Sequence, residues 1–143
     1  MAKPFQLMVL TPEREFYNGP AVYVSVNTIA GSIGVLADHV PMVSALDVGT
    51  LVIETSDGTR RTAFHSEGFI EVRPDGVYIL SQACEWPEEI DEKRAREAEE
   101  RAKERISHPE EELNLTTMAH SRVALMRAMT RRRIASMSST ETK

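Results

Sequence analysis

Five arginines crowd the last quarter of this chain: Arg122, Arg127, Arg131, Arg132 and Arg133. Arg127 and Arg131 stand four residues apart, so on a helix they share a face. Two guanidinium groups side by side repel unless an anion sits between them, and their planar fork suits phosphate and carboxylate oxygens. Three readings follow: a solvated basic face paired with an acidic neighbour, a site for nucleotide phosphates, or a docking face for an acidic partner protein. Nucleic acid is disfavoured, because no aromatic residue interleaves the arginines and the net charge is −5. If the two arginines repel, Arg127→Ala leaves the ligand-free fold no less stable.

Nothing else in the chain offers reaction chemistry. His39, His65, His108 and His120 are scattered without metal-ligand spacing. His39, before Val40-Pro41, reads as a turn histidine. Cys84 follows a strand with no histidine near it in sequence, which reads as a buried structural thiol. A single cysteine excludes an internal disulfide or a multi-cysteine zinc site and suits a reducing compartment. Gly31-Ser32-Ile33-Gly34 reads as a turn, not a phosphate loop. The apolar runs are too short to span a membrane, and Met1 to Phe5 does not open a secretory signal. The chain reads as a non-enzyme.

The elements that must position the arginines follow from a break in composition. All seven glycines lie between Gly19 and Gly76, and all eight aromatics between Phe5 and Trp86. The 57 residues after Trp86 contain neither, yet hold 24 of the 39 charged side chains. Residues 1–86 read as sheet and residues 87–143 as helix. Strands are expected at Phe5–Leu10, Ala21–Thr28, Thr50–Thr55, Arg60–His65, Phe69–Arg73 and Val77–Leu80. Asp57-Gly58 and Pro74-Asp75-Gly76 mark hairpin turns. No crossover helix fits between these runs, so an antiparallel sandwich or barrel is indicated.

The tail reads as a helical hairpin. Pro87 suits the first helical position, and Glu88, Glu89, Asp91 and Glu92 suit the positive end of the helix dipole. Pairs at i,i+4 are expected for Glu89–Lys93, Glu92–Arg96, Glu97–Arg101 and Glu99–Lys103. The first buried stripe is thin: Ala95, Ala98, Ala102, Ile106. Pro109 should end this helix, and Asn114 or Thr116 should cap the next. The second stripe is Leu115, Met118, Leu125, Met126, Met129 and Ile134, a methionine-rich seam able to meet more than one surface. From Pro87 to Glu112 there are eleven acidic and six basic residues; from Leu113 to Lys143, one and six. The arms should attract. Ser136 to Lys143 is polar and expected to fray.

The order of these parts resembles the epsilon subunit of bacterial F-type ATP synthases, the delta subunit of mitochondria. The resemblance rests on Thr11-Pro12-Glu13, Phe16-Tyr17-Asn18-Gly19, Gly31-Ser32-Ile33-Gly34-Val35-Leu36, His39-Val40-Pro41, Gly49-Thr50-Leu51, Gly68-Phe69-Ile70-Glu71-Val72 and Val77-Tyr78-Ile79-Leu80, followed by the charged hairpin. It implies an α+β fold: an antiparallel β-sandwich of about ten strands (1–86), then a two-helix hairpin (87–143). It implies a non-catalytic rotor subunit of the central stalk of a proton- or sodium-translocating synthase. The sandwich would bind the gamma subunit and rest on the c-subunit ring. The hairpin, when extended, would reach the alpha and beta subunits of the catalytic head and inhibit ATP hydrolysis. The place would be peripheral, on the cytoplasmic face of a bacterial membrane. Ser32 stands where many relatives carry an acidic residue near the c ring.

Some family members bind ATP on the folded hairpin through the run Ile or Leu, Asp, two variable residues, Arg, Ala. Ile90-Asp91-Glu92-Lys93-Arg94-Ala95 fits it. The same resemblance implies nucleotide contacts from Glu85, Arg101, Arg127 and Arg131. No cofactor is required by this reading; ATP would be a regulator. The alternative of another class is a stand-alone nucleotide-sensing module without a rotary partner. An enzyme built on the sandwich is a third reading, opposed by the missing catalytic set.

Overall fold

The computed structural model describes residues 2–108, 115–137 and 140–142. Nine strands come first: β1 (Phe5–Leu10), β2 (Glu15–Ala21), β3 (Tyr23–Thr28), β4 (Gly31–Val35), β5 (Met42–Leu46), β6 (Gly49–Glu54), β7 (Thr59–His65), β8 (Gly68–Arg73) and β9 (Gly76–Ser81). A short β10 (Cys84–Glu85) and a 3-10 turn (Pro87–Glu89) lead to α1 (Glu92–Ser107), α2 (Leu115–Ala135) and β11 (Thr140–Thr142). The strands bond in the order β10-β7-β6-β3-β5-β8-β9-β1-β2, with β4 added on β3 and β11 on β7. Among these pairings only β1 with β9 is parallel. The result is the expected sandwich of about ten strands followed by two helices.

Alternation builds the core. Leu7 and Val9 of β1, Val24 and Val26 of β3, and Ile70 and Val72 of β8 face inward. Each fully buried large apolar side chain contributes about 1.5–3 kcal/mol. β6 and β7 break the alternation: Leu51, Val52 and Ile53 are all buried, and so are Ala63, Phe64 and His65. Both faces of β7 are covered. Ala63 joins the sandwich core, while Phe64 joins a second cluster with Val48, Ile90 and Ile134 that seats the helices.

Three local expectations change. Gly31-Ser32-Ile33-Gly34 is not a turn but most of β4; the chain reverses at Ile29-Ala30. Gly31 absorbs the reversal at φ 118°, and Gly34 lies beneath the Tyr23 ring, where a Cβ would come within 2.8 Å of it. α1 begins at Glu92, not Pro87. Ile90 adopts an extended backbone that buries its side chain against Phe64, and Asp91 then caps the helix by accepting the Arg94 N–H at 3.1 Å. Glu89 therefore precedes the helix and pairs with Arg14 at 2.8 Å, not with Lys93.

The tail also departs from a frayed end. β10 spans only two residues, so the Thr59–Arg61 edge of β7 is left open, and β11 pairs there antiparallel. Pro109 and Asn114 lie outside the described residues, as do the side chains of Leu115 and Thr116. α1 ends at Ser107.

Between the helices the alanine stripe meets small partners. Ala95 and Ala102 are buried, and from α2 so are Ser121, Ala128, Thr130 and Ile134. Met126 and Met129, expected in the seam, are 45% and 49% exposed. The shallow face of α1 lets the backbones approach, which leaves long side chains no room between them. Glu92–Arg96 at 3.9 Å and Glu99–Lys103 at 3.1 Å form as expected, and Glu97 and Arg101 both line the cleft described next.

Candidate functional site

A cleft of about 640 Å³ opens where α1, α2 and β10 meet. Asp91 enters it from the N-cap of α1, Arg94, Ala95 and Arg101 from α1 itself, Arg127 and Arg131 from α2, and Glu85 from the sheet edge. The i,i+4 spacing of Arg127 and Arg131 points both into it. Ile90 does not line it; its side chain anchors the joint with Phe64, Val48 and Ile134. Four more residues line it that the sequence does not assign to a site: Glu97 and Ala98, read there as an ion-pair partner and a packing residue, and Ala124 and Ala128. Ala124 and Ala128 repeat at i,i+4, a sign of close helix approach. The lining carries four guanidinium groups against three carboxylates, Glu85, Asp91 and Glu97.

Arg127 and Arg131 are not a mutually repelling pair. Arg127 donates through Nη2 to both oxygens of Glu67, at 2.9 and 3.1 Å. Arg131 donates through Nε to Glu85 at 2.6 Å, and its guanidinium carbon lies 4.4 Å from the centre of the Phe64 ring. Each charge is answered by its own carboxylate from the sheet. The premise behind the Arg127→Ala expectation, two unanswered charges side by side, does not hold: the change breaks an ion pair to the β7–β8 connection instead of relieving a repulsion. Glu67 has no local sequence signal, since it stands 60 residues before its partner.

On the other side of the hairpin, Arg132 donates to Glu99 of α1, and Lys103 pairs with the same carboxylate at 3.1 Å. Hydrogen bonds from Arg132, then Lys103, hold the Glu99 carboxyl below the usual carboxylate range. Arg133 donates to Thr50 Oγ1 at 2.9 Å. The basic face of α2 is thus divided, with one arginine gripping α1 and three gripping the sheet. Cys84 is buried, and desolvation pushes its thiol up to about 11, which suppresses the thiolate.

This combination of sandwich and hairpin has close counterparts. Residues 4–87 match the family model for the ATP synthase delta/epsilon chain beta-sandwich domain, and residues 88–136 match its long alpha-helix domain. The chain is 47% identical over 137 residues to the ATP synthase epsilon chain of Caldanaerobacter subterraneus subsp. tengcongensis, covering 95% of this chain and 96% of that one. It is 38% identical over 133 residues to the ATP synthase epsilon chain of Bacillus pumilus, covering 93% and 98%. Among solved structures, a chain of the Euglena gracilis mitochondrial ATP synthase (OSCP/F1/c-ring) superposes with a TM-score of 0.77 at 25% identity, over 89% of this chain and 78% of that one. The two matched domains adjoin and together span nearly the whole sequence, so the chain belongs to the ATP synthase delta/epsilon family, the non-catalytic epsilon subunits of the F-type central stalk.

Proposed function

We propose that this subunit couples the catalytic head to the membrane ring and brakes ATP hydrolysis through its hairpin, with ATP holding the hairpin folded. The single observation that carries the braking and gating is the make-up of the cleft. Arg94 and Arg101 come from one helix and Arg127 and Arg131 from the other, so a polyphosphate between them ties the arms together and to the sheet. Glu85, Asp91 and Ala95 frame the same space, and Ile90 braces it from behind. Met126 and Met129 face solvent in this folded form, free to meet a second surface on the alpha and beta subunits when the hairpin extends.

The sandwich supplies the other contacts. Val43, Phe69 and Leu80 share the outer face of β5, β8 and β9 and are 67%, 57% and 47% exposed. That apolar strip suits the gamma subunit. Ile29, 74% exposed at the reversal beside Ser32, suits the c ring. No described helix is long and apolar enough to cross a membrane; the subunit would sit peripherally on the cytoplasmic face, through the complex.

A ligand that binds only the folded form stabilises it by RT ln(1 + [L]/Kd), about 2.7 kcal/mol at a hundredfold excess. Melting should therefore shift upward with ATP in the wild-type chain and lose most of that shift in Arg127→Ala. An equal shift in both would remove Arg127 from the site. No shift in either would leave the braking role without ATP control.

A further inference from the structure

The hairpin is docked by contacts of its own side chains, and one of these contacts competes with an anion in the cleft. Arg127 offers Nη2 to Glu67, whose carboxylate approaches from the β7–β8 connection and does not itself line the cleft. A phosphate reaching the remaining nitrogens of the same guanidinium would lie roughly 6–7 Å from that carboxylate. The lining alone carries four positive and three negative groups. With Glu67 added the balance is zero, a poor field for a polyanion.

We infer that Glu67 sets the nucleotide affinity of the cleft: its charge opposes the phosphates through Arg127 and keeps the affinity low. This rests on the ATP reading above. The opposing effect, loss of docking, is small. The Arg127 and Glu67 side chains are 39% and 36% exposed, and pairs so open to water add little to a fold. Ile134, Ala128 and the Arg132–Glu99 pair remain to seat the helix. Removing the Glu67 charge therefore leaves the hairpin folded and relieves repulsion of several phosphate charges at once.

The test is calorimetric titration of the full chain with ATP at low ionic strength, in wild type, Glu67→Gln, Glu67→Asp and Arg127→Ala. Hydrogen exchange of α2 in the empty proteins checks that the hairpin is still docked. Glu67→Gln should bind ATP on the order of tenfold more tightly, and the gain should shrink as salt is raised. Glu67→Asp keeps the charge and should stay within about threefold of wild type. A Glu67→Gln affinity equal to or below wild type, with α2 still protected, overturns the inference. So does an equal gain in Glu67→Asp. Binding by wild type that Arg127→Ala abolishes upholds the ATP site, so a failure of Glu67→Gln then counts against Glu67 alone. If neither wild type nor Glu67→Gln shows binding at millimolar ATP, both readings fail together.

Discussion

Arg132 of α2 reaches across the hairpin to Glu99 of α1, a carboxylate whose side chain is only 7% exposed. It is the ion pair that joins the two helices among the described residues, and it lies on the side away from the cleft. Glu99→Gln keeps the shape but removes the charge that Arg132 and Lys103 share. Hydrogen exchange in both helices should accelerate by about tenfold, because Arg132 and Lys103 lose the charge of the buried carboxylate they share across the hairpin. The sign with pH follows from the lowered carboxyl. The stabilisation is complete above about pH 4.3, the unfolded value, and is lost as pH falls through the lower folded value. Exchange measured across that window should show the hairpin loosening in wild type and little further change in Glu99→Gln.

Ile134 is fully buried where α2 meets the sheet. Ile134→Ala should cost about 2–5 kcal/mol. That exceeds what the neighbouring exposed ion pairs return, about 0–1 kcal/mol each. The hairpin should undock while the sandwich keeps its own transition. Protection lost throughout the chain, instead of in the helices alone, would argue against this division.

His65 is fully buried in β7. Its Nδ1–H donates to the Ser66 carbonyl at 3.0 Å, and its Nε2 accepts the Asn27 N–H at 3.1 Å. A protonated ring would turn a second donor toward that amide. Burial pushes its pKa down, against upward pulls from the Ser66 carbonyl, Asp47 and Glu67. The unfolded chain takes the proton first. Stability is therefore full above about pH 6.5 and falls below it, by up to about 1.4 kcal/mol per pH unit. Urea midpoints between pH 7.5 and 5 should show that slope in wild type and a flatter one in His65→Gln.

The sandwich core lies wholly within residues 1–86. That fragment should unfold cooperatively, though with a lower midpoint, since Phe64 and Val48 lose the helical cover of Ile90 and Ile134. In the assembled synthase the same deletion should raise ATP hydrolysis in the absence of membrane energisation and leave assembly intact. Unchanged hydrolysis would remove the braking role.

Local signals carried much of this architecture. Asp57-Gly58 announced a hairpin, and Gly58 takes φ 86° between β6 and β7. The alanine spacing of α1 placed Ala95 and Ala102 correctly. Strand β4 was hidden because its two glycines read as a turn, while the reason for one of them, the Tyr23 ring, comes from another strand. The helical spacing put Arg127 and Arg131 on one face, but their carboxylates stand 60 and 46 residues away, and no periodicity reaches that far. Trp86 was legible as the joint between halves. Its stacking on Phe16, 4.3 Å between ring centres, and the Arg61 guanidinium 3.6 Å above it tie it to the sheet, which only the folded chain reveals.

The sheetward grips of α2 (Arg127, Arg131, Arg133 and Ile134) are gathered in its last turns, while α1 carries the hairpin away from the joint for 16 residues, about 24 Å. The hairpin is thus a lever with its fulcrum at the sheet. A sideways push at the far tip acts with a long arm and loads the grips one after another, beginning with Arg127. A pull along the helix axes loads all of them together. The same docked form would then yield to a small torque and resist a much larger tension, so the direction of thrust from a neighbouring rotor or stator, more than its size, would decide when the hairpin lets go.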